Sequence, residues 1–349
     1  MNEVRIIGLD LAKRIFQVHG IDQQGQVVIQ KRLQRSEVLS WFSLLKPCLI
    51  GMEACATAHY WARELSTLGH EVKMIPPSYV KPYVRRQKND RADAAAICEA
   101  VSRPSMRFVA VKSVDQQAIQ VLHRSRELLI RQRTQLINAL RAHLAEFGVI
   151  FPQGNAGVAQ AINAVRETDK PDLPVFVKQV LSGLADHIER LKQEIAALDR
   201  RMTAWHKDHA DSRRLATIPG IGIVTASAII AAVGDGRQFK SAREFAAWIG
   251  LVPRQSSSGG KERLGRISKK GNTYLRQLLV IGATTQLRHR KKGMAPGGLW
   301  FEQLLIRKPA RVASVALANK LARIAWAILT GCTEYRAPSP SIVVTASPA

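Results

Sequence analysis

VRIIGLDLAKRIFQVHGIDQQGQVVIQKRL, residues 4–33, reads as three short β-rich runs, VRIIGLD, IFQVHGI and QVVIQKRL. Lys13 and Arg14 part the first two, and the turn residues Asp22 to Gly25 part the last two. Runs of Val, Ile and Phe bounded by turn formers predict an antiparallel meander. Beyond it, SEVLSWFSLL (36–45) has helical spacing, with Ser36 as its N-cap, and must stop before Pro47. CLIGME (48–53) reads as a buried strand, HYWARELSTLG (59–69) as a helix closed by glycine, and EVKMIPP (71–77) as a strand stopped by two prolines. A helix holding DRADAAAICEAV (90–101) follows. The order βββαβαβα predicts an α/β unit over residues 1–112, a mixed sheet with helices on its faces.

From 113 to 210 the strand signal vanishes. Leu181, Leu184, Ile188, Leu191, Ile195, Leu198, Met202 and Trp205 recur at alternating steps of three and four, a heptad seam that predicts a coiled-coil connector and a surface for dimerisation. Leu129, Leu136, Leu140, Leu144 and Phe147 form a weaker stripe suited to an antiparallel partner, and FPQGNAG (151–157) and ETDKPDLP (167–174) read as breakers. Residues 211–335 are predicted mostly helical. LATIPGIGIVTASAIIAAVG (215–234) carries a Pro-Gly-x-Gly turn between apolar stretches, like a helix-hairpin-helix unit; SAREFAAWIGL, NTYLRQLLVIGATTQL and RVASVALANKLARIAWAILTG follow as helices. The stretch 336–349, rich in Pro, Ser and Ala, reads as a disordered tail.

With 52 Lys and Arg against 27 Asp and Glu, the 349 residues carry a formal charge of +25, which calls for a polyanionic partner, nucleic acid foremost. Hydrophobic residues at 46% are ample for real cores. No uninterrupted apolar run reaches about 18 residues and the start lacks a signal-peptide layout, so a cytoplasmic chain, nucleoid-associated when bound to DNA and away from membranes, is expected. The cysteines (Cys48, Cys55, Cys98, Cys332) and the histidines are scattered without zinc-site or disulfide spacing.

Asp10 ends the first predicted strand, Glu53 ends the fourth, and Asp90 and Asp93, three apart, share a helix face. Carboxylates converging on one point repel unless divalent cations are bound, and two Mg²⁺ ions so held would clamp a phosphodiester. A second constellation is GLVPRQSSSGGKERLGRISKKGN (250–272), three serines between a proline and a glycine pair, flanked by Arg254, Lys261, Arg263, Arg266, Lys269 and Lys270. Those cations suit a DNA strand, and the glycines allow close approach of the loop backbone to phosphate. The Gly220 and Gly222 amides suit a phosphate, or the turn is a helix–helix corner. Lys13 reads as a solvated or phosphate-facing cation.

The βββαβαβα frame with these carboxylates resembles the RNase H superfamily, particularly RuvC-like nucleases. IGLDLAK, GMEACATAHYWARELSTLGHEVKMIPP, KNDRADAAAI, PGIGIVTASAIIAAVGD and the serine stretch together resemble the IS110-family transposases, and the SSGGK form resembles the IS1111 group, over residues 4–331. The resemblance implies a DNA transposase or site-specific recombinase of an insertion sequence. It carries the family's acidic positions to Asp10, Glu53, Asp90 and Asp93, with Mg²⁺ as cofactor. It also implies a serine nucleophile: a serine directly before glycine points to Ser258, tolerance of Thr at that position favours Ser257, and Ser256 is a neighbour. A structured noncoding RNA encoded by the element and a homo-oligomer, dimer or tetramer, are implied partners besides double-stranded DNA. Two rival readings are a structure-selective (Holliday-junction) endonuclease that hydrolyses with water and leaves no covalent intermediate, and a basic architectural protein.

Overall fold

The computed structural model describes residues 3–84, 90–167, 173–289 and 298–336. The chain divides into two compact units, Met1–Val114 and Asp115–Ala349. The stretch 337–349, with the predicted tail, lies outside the described residues.

In the first unit β1 (Ile6–Asp10), β2 (Ile15–Ile21) and β3 (Val27–Gln34) form the antiparallel meander, and β4 (Leu49–Glu53) and β5 (Glu71–Ile75) extend it in parallel, in the order β3-β2-β1-β4-β5. Helix α1 (Val38–Phe42) follows a 3₁₀ turn at Arg35–Glu37, so Ser36 lies inside that turn and caps nothing. The turn is held instead by Gln34, whose backbone N–H donates to Glu37 Oε2 at 2.8 Å. Helix α2 (Ala58–Thr67) precedes β5, and the two prolines that stop β5 open a short helix α3 (Pro77–Val80), where a missing N–H costs nothing. Helix α4 (Asp90–Val101) closes the unit.

Side chains alternate across a strand, so β1 and β4 each serve both faces of the sheet. Ile7, Leu9, Ile50 and Met52 pack with Phe16, Phe42, Trp61 and Leu65 on the face that α1 and α2 cover. Ile6 and Leu49 face α4, whose Ala96, Ile97, Ala100 and Val101 form the second core with Ile75 and Val80.

The second unit begins with α5 (Val114–Ala145), α6 (Asn155–Arg166) and α7 (Val175–Asp208). The heptad seam of α7 is real but consumed within the chain: Leu181, Ala185 and Ile188 are buried with Leu140 and Leu144 of α5 and with Val158, Ala161, Ile162 and Val165 of α6. An ion pair from Arg126 Nε to Asp199 Oδ1 at 2.5 Å ties α5 to α7 further along, in the antiparallel sense. The Leu181–Ile188 part of the seam is therefore covered by helices of the same chain. Helix α6 starts at Asn155, inside the FPQGNAG stretch read as a breaker.

Next come α8 (Ala210–Ala216), α9 (Ile223–Val233), α10 (Ala242–Ile249), β6 (Pro253–Gln255), β7 (Leu264–Ile267), α11 (Thr273–Arg288), α12 (Leu299–Arg307) and α13 (Ala310–Gly331). Ser241 caps α10, its Oγ accepting from the Glu244 N–H at 3.2 Å, and Asn272 caps α11 through Leu275 N–H at 3.0 Å. Helix α9 is apolar on nearly every side and is buried nearly all round. Helix α13 is long and apolar enough to cross a membrane by composition alone, yet half of that stretch is buried in the protein. Its Ala313, Leu317, Leu321, Ala325 and Ile328 belong to the core that α9, α10 and α11 share.

Candidate catalytic sites

Two strands with one pattern build the acidic site: IIGLD in β1 and LIGME in β4. They pair in parallel with Ile6 opposite Leu49 and Gly8 opposite Gly51, so continuing the register sets Asp10 beside Glu53. Alternation gives Ile6, Gly8 and Asp10 one face and Leu49, Gly51 and Glu53 the same face, the one α4 covers. The glycines let that helix descend. A β-carbon on Gly8 would stand 2.1 Å from the Ala94 carbonyl oxygen and 2.5 Å from the Cys98 nitrogen, and one on Gly51 would stand 2.7 Å from Val101 Cβ.

Asp93, half-buried, sits one residue before Ala94 on this closely seated helix. Arg91 and Ala94 line a small cleft with Gln17, the register partner of Asp10. Asp90 opens the helix, but its side chain lies outside what is described. Burial raises the pKa of the Cys55 thiol, and the charges of Glu53 and Asp10 both push it the same way, so the two carboxylates share a neighbourhood. Among the described residues, no three acidic, His or Cys side chains form a closed metal-ligand group. The donors at this sheet edge are nonetheless carboxylate oxygens, the type that hard divalent cations take. Asp10 and Glu53 on the sheet and Asp93 on the facing helix are the residues that would hold such an ion.

Between Glu53 and α2 the chain makes a strained corner. Thr57, β-branched, adopts the left-handed conformation at φ 72°, and its side chain caps nothing.

The serine stretch is a β-hairpin. Pro253 pairs with Ile267 and Gln255 with Leu264, Ser256 N–H donates to the Arg263 carbonyl at 3.0 Å, and Ser258 bridges Lys261. Gly259 and Gly260 form the two-residue tip with φ of 57° and 75°, and Lys261 N–H closes it onto the Ser258 carbonyl at 3.1 Å. Two positive φ values in a row are the primed turn that matches strand twist. Ser257 Oγ accepts hydrogen bonds from the Arg263 N–H at 3.3 Å and from Gln255 Nε2 at 3.2 Å. Ser256, Ser257, Ser258, Arg254, Lys261, Arg263, Arg266, Lys269 and Lys270 are all exposed. Arg254 reaches across to the Ser268 carbonyl at 3.3 Å.

The hairpin stands on a tight neck. A β-carbon on Gly271 would lie 1.8 Å from the Trp248 carbonyl oxygen, and one on Gly250 would lie 2.2 Å from that of Lys270. Arg276 clamps the crossing from beneath: Nη1 donates to the carbonyls of Ile249 at 2.7 Å and Lys270 at 3.0 Å, and Nη2 to Thr273 Oγ1 at 3.0 Å. Two residues earlier on α11, Tyr274 meets buried His123, whose Nδ1 lies 3.1 Å from the phenol oxygen and whose Nε2 lies 3.1 Å from Ser227 Oγ. Ser227 donates its proton to the Ile223 carbonyl at 2.7 Å, so it accepts from Nε2–H, and Nδ1 accepts from the phenol. Burial, and then the charge of Arg126, push the His123 pKa down to about 4. Sequence reasoning missed Arg276 and His123, because a cation or a histidine on an amphipathic helix carries no mark of what it will meet.

The Pro-Gly-x-Gly turn is a packed corner at its first glycine. Gly220, at φ 95°, abuts Gln286, Gly282 and Leu321, and a β-carbon on Gly282 would lie 1.9 Å from the Gly220 carbonyl. Gly222 precedes α9 with open space where its side chain would be.

Two family models match the chain: the DEDD transposase of IS110 elements over residues 7–149, and "Transposase IS116/IS110/IS902 family" over residues 212–296. The class is thus that of the DEDD transposases, enzymes that cleave DNA and transfer its strands, and the DEDD domain implies dependence on a divalent metal, typically Mg²⁺. A "Probable family 20 transposase" of Pseudomonas aeruginosa is 50% identical over 95% of this chain and 98% of its own length. The transposase for insertion sequence element IS1328 of Yersinia enterocolitica is 41% identical over 96% and 99%, and that for IS1111A of Coxiella burnetii 41% identical over 96% and 92%. The chain belongs to the IS110 family of transposases, in its IS1111 group.

Proposed function

We propose that the first unit is an RNase H/RuvC-like catalytic unit in which Asp10, Glu53, Asp90 and Asp93 hold Mg²⁺, and that Ser257 is the nucleophile for strand exchange. The observation that carries the first part is the twin pattern of β1 and β4, which sets Asp10 beside Glu53 on the face of the helix bearing Asp93. Bound there, divalent cations would offset negative charge on the phosphoryl oxygens and on the leaving oxygen.

Ser257 is favoured over Ser258 because its Oγ accepts two hydrogen bonds, which stabilise the oxygen as its proton leaves. Its oxygen attacks the phosphorus, one phosphodiester P–O bond breaks, the serine proton passes to solvent, and the departing DNA hydroxyl takes up a proton. The resulting phosphoserine retains the bond energy, and a second DNA hydroxyl reverses the step to rejoin a strand. The exposed cations of the hairpin neutralise the strand being handled. Selection of element ends and target by a structured noncoding RNA encoded by the element, and work as a homo-oligomer, complete the reading by likeness to the family.

The test is one incubation of the full-length chain with labelled element-end DNA and Mg²⁺, resolved on a denaturing protein gel. A labelled protein band that Ser257→Ala abolishes and Ser258→Ala retains supports the reading. Cleavage without any adduct means hydrolysis by the carboxylates alone, the structure-selective nuclease. RNA that survives a high-salt wash is expected as one discrete species; a random pool, with recombination indifferent to ribonuclease, overturns the guide.

A further inference from the structure

At the end of the sheet where β1 and β4 deliver their carboxylates, an open groove of about 610 Å³ lies on the opposite face, the one α2 covers. Lys13, Arg14, Arg35, Ser36, Tyr60 and Trp61 are among its lining residues, and among the described residues no acidic side chain is. Lys13 and Arg14 form the β1–β2 turn that begins just past Asp10, and α2 starts five residues after Glu53. The groove is prearranged: the Arg35 N–H donates to the Arg14 carbonyl at 2.8 Å, and the Arg35 guanidinium stacks over Trp61 at 5.0 Å and Phe16 at 5.9 Å. Tyr60, 41% exposed, stands edge-on to Trp61 at 5.2 Å. The Trp61 indole N–H is buried and has no hydrogen-bond partner.

We propose that this groove seats an unpaired nucleotide of the DNA strand a short way from the bond cut at the carboxylates. Its phosphate lies among Lys13, Arg14 and Arg35, and its base stacks on the exposed face of Tyr60. Cations alone would take any duplex; an exposed ring beside them selects a strand whose base is out of the stack, because every base offers a π-face. The strand passes from one face of the sheet to the other over the β1–β2 turn, so opening the duplex and presenting the bond become one event. The inference rests on reading Asp10 and Glu53 as the cleaving centre.

The experiment uses the full-length Asp10→Asn chain with element-end DNA carrying 5-iododeoxyuridine at successive positions, irradiated and mapped by mass spectrometry. Crosslinking to the peptide holding Tyr60, confined to a few adjacent positions, stronger with a mismatched than a fully paired duplex, retained in Tyr60→Phe and lost in Tyr60→Ala, is the expected result. A roughly tenfold weaker apparent affinity for the mismatched DNA in Tyr60→Ala accompanies it, with paired DNA unchanged, as loss of one stacking contact predicts. Equal crosslinking to intact duplex, crosslinks only elsewhere, or preference for an iodouridine RNA of the same sequence overturns the proposal. Cleavage activity in Asp10→Asn would instead sink the carboxylate centre, so the two failures are told apart in one preparation.

Discussion

Gly8 and Gly51 are register partners across β1 and β4, and together they leave the trough in which α4 lies. Neither position tolerates a methyl group without moving that helix, since the nearest atoms at Gly8 are backbone. Gly8→Ala is expected to destabilise the unit at or beyond the upper end of the roughly 1–3 kcal/mol typical of overpacking. Metal-dependent cleavage should fall with it as Asp93 is lifted from the sheet. Gly51→Ala, which meets the Val101 side chain, should cost less; equal stability of all three proteins in urea would show that α4 does not depend on this contact.

Thr57 offers the opposite outcome. A left-handed conformation costs an L-residue roughly 1–2 kcal/mol, and Gly returns about half of that through its freer unfolded chain. Thr57→Gly should therefore raise the urea midpoint by a stabilisation of about 0.5–1 kcal/mol with an unchanged m-value, while Thr57→Val gains nothing.

Carboxylate substitutions separate chemistry from binding. Asp10→Asn, Glu53→Gln and Asp93→Asn should each abolish strand cleavage while DNA binding holds or tightens, because negative charge facing phosphate is removed. Full recombination by any of the three would remove that residue from the centre.

His123 makes the second unit sensitive to acid. Its folded pKa, about 4, lies below the ordinary 6.5, so the neutral ring is the one the fold accepts. Its contribution is complete above about pH 6.5 and is lost as pH falls toward 4, because the unfolded chain takes up a proton that the folded chain resists. The loss should be on the order of 3 kcal/mol across that window. Comparing unfolding free energies of wild type and His123→Gln at pH 7 and pH 4.5 checks this: the variant starts less stable and the gap closes on acidification. A gap independent of pH would mean that the ring titrates normally.

The neck of the hairpin predicts a split between folding and activity. Arg276→Lys keeps a charge but cannot reach both carbonyls, so adduct formation should drop by an order of magnitude or more while the rest of the unit unfolds cooperatively. Gly271→Ala, with its β-carbon driven into the Trp248 carbonyl, should do the same and raise hydrogen exchange at 250–271.

The sheet was legible because its strands are short β-rich runs broken by turn residues, and the alternation that puts Asp10 and Glu53 on one face is already present in IIGLD and LIGME. What was not legible is which helix would lie over Gly8 and Gly51, since nothing local to a glycine names its distant neighbour. The periodicity of α7 announced a partner, and the stripe through Leu136, Leu140 and Leu144 pointed to α5; what it did not announce is that α6 joins them. The hairpin escaped because strands of three and four residues, rich in Ser, Gly and charge, carry almost no β signal. Ser36 looked like a cap on spacing alone, yet the Glu37 carboxylate reached the Gln34 amide first.

The ribbon of β6 and β7 contains no buried side chain, and among the described residues nothing lies within reach of a β-carbon on its glycine tip. A two-stranded ribbon of that kind is marginal in water when left to itself. On the proposed reading of Ser257 as nucleophile, the surface it meets would settle its final shape, and DNA of the wrong contour would leave the Ser257 oxygen misaimed even when held tightly. Discrimination among DNA sites would then show in turnover more than in occupancy, so a binding assay would rank cognate and near-cognate sequences as near equals that a rate assay pulls apart.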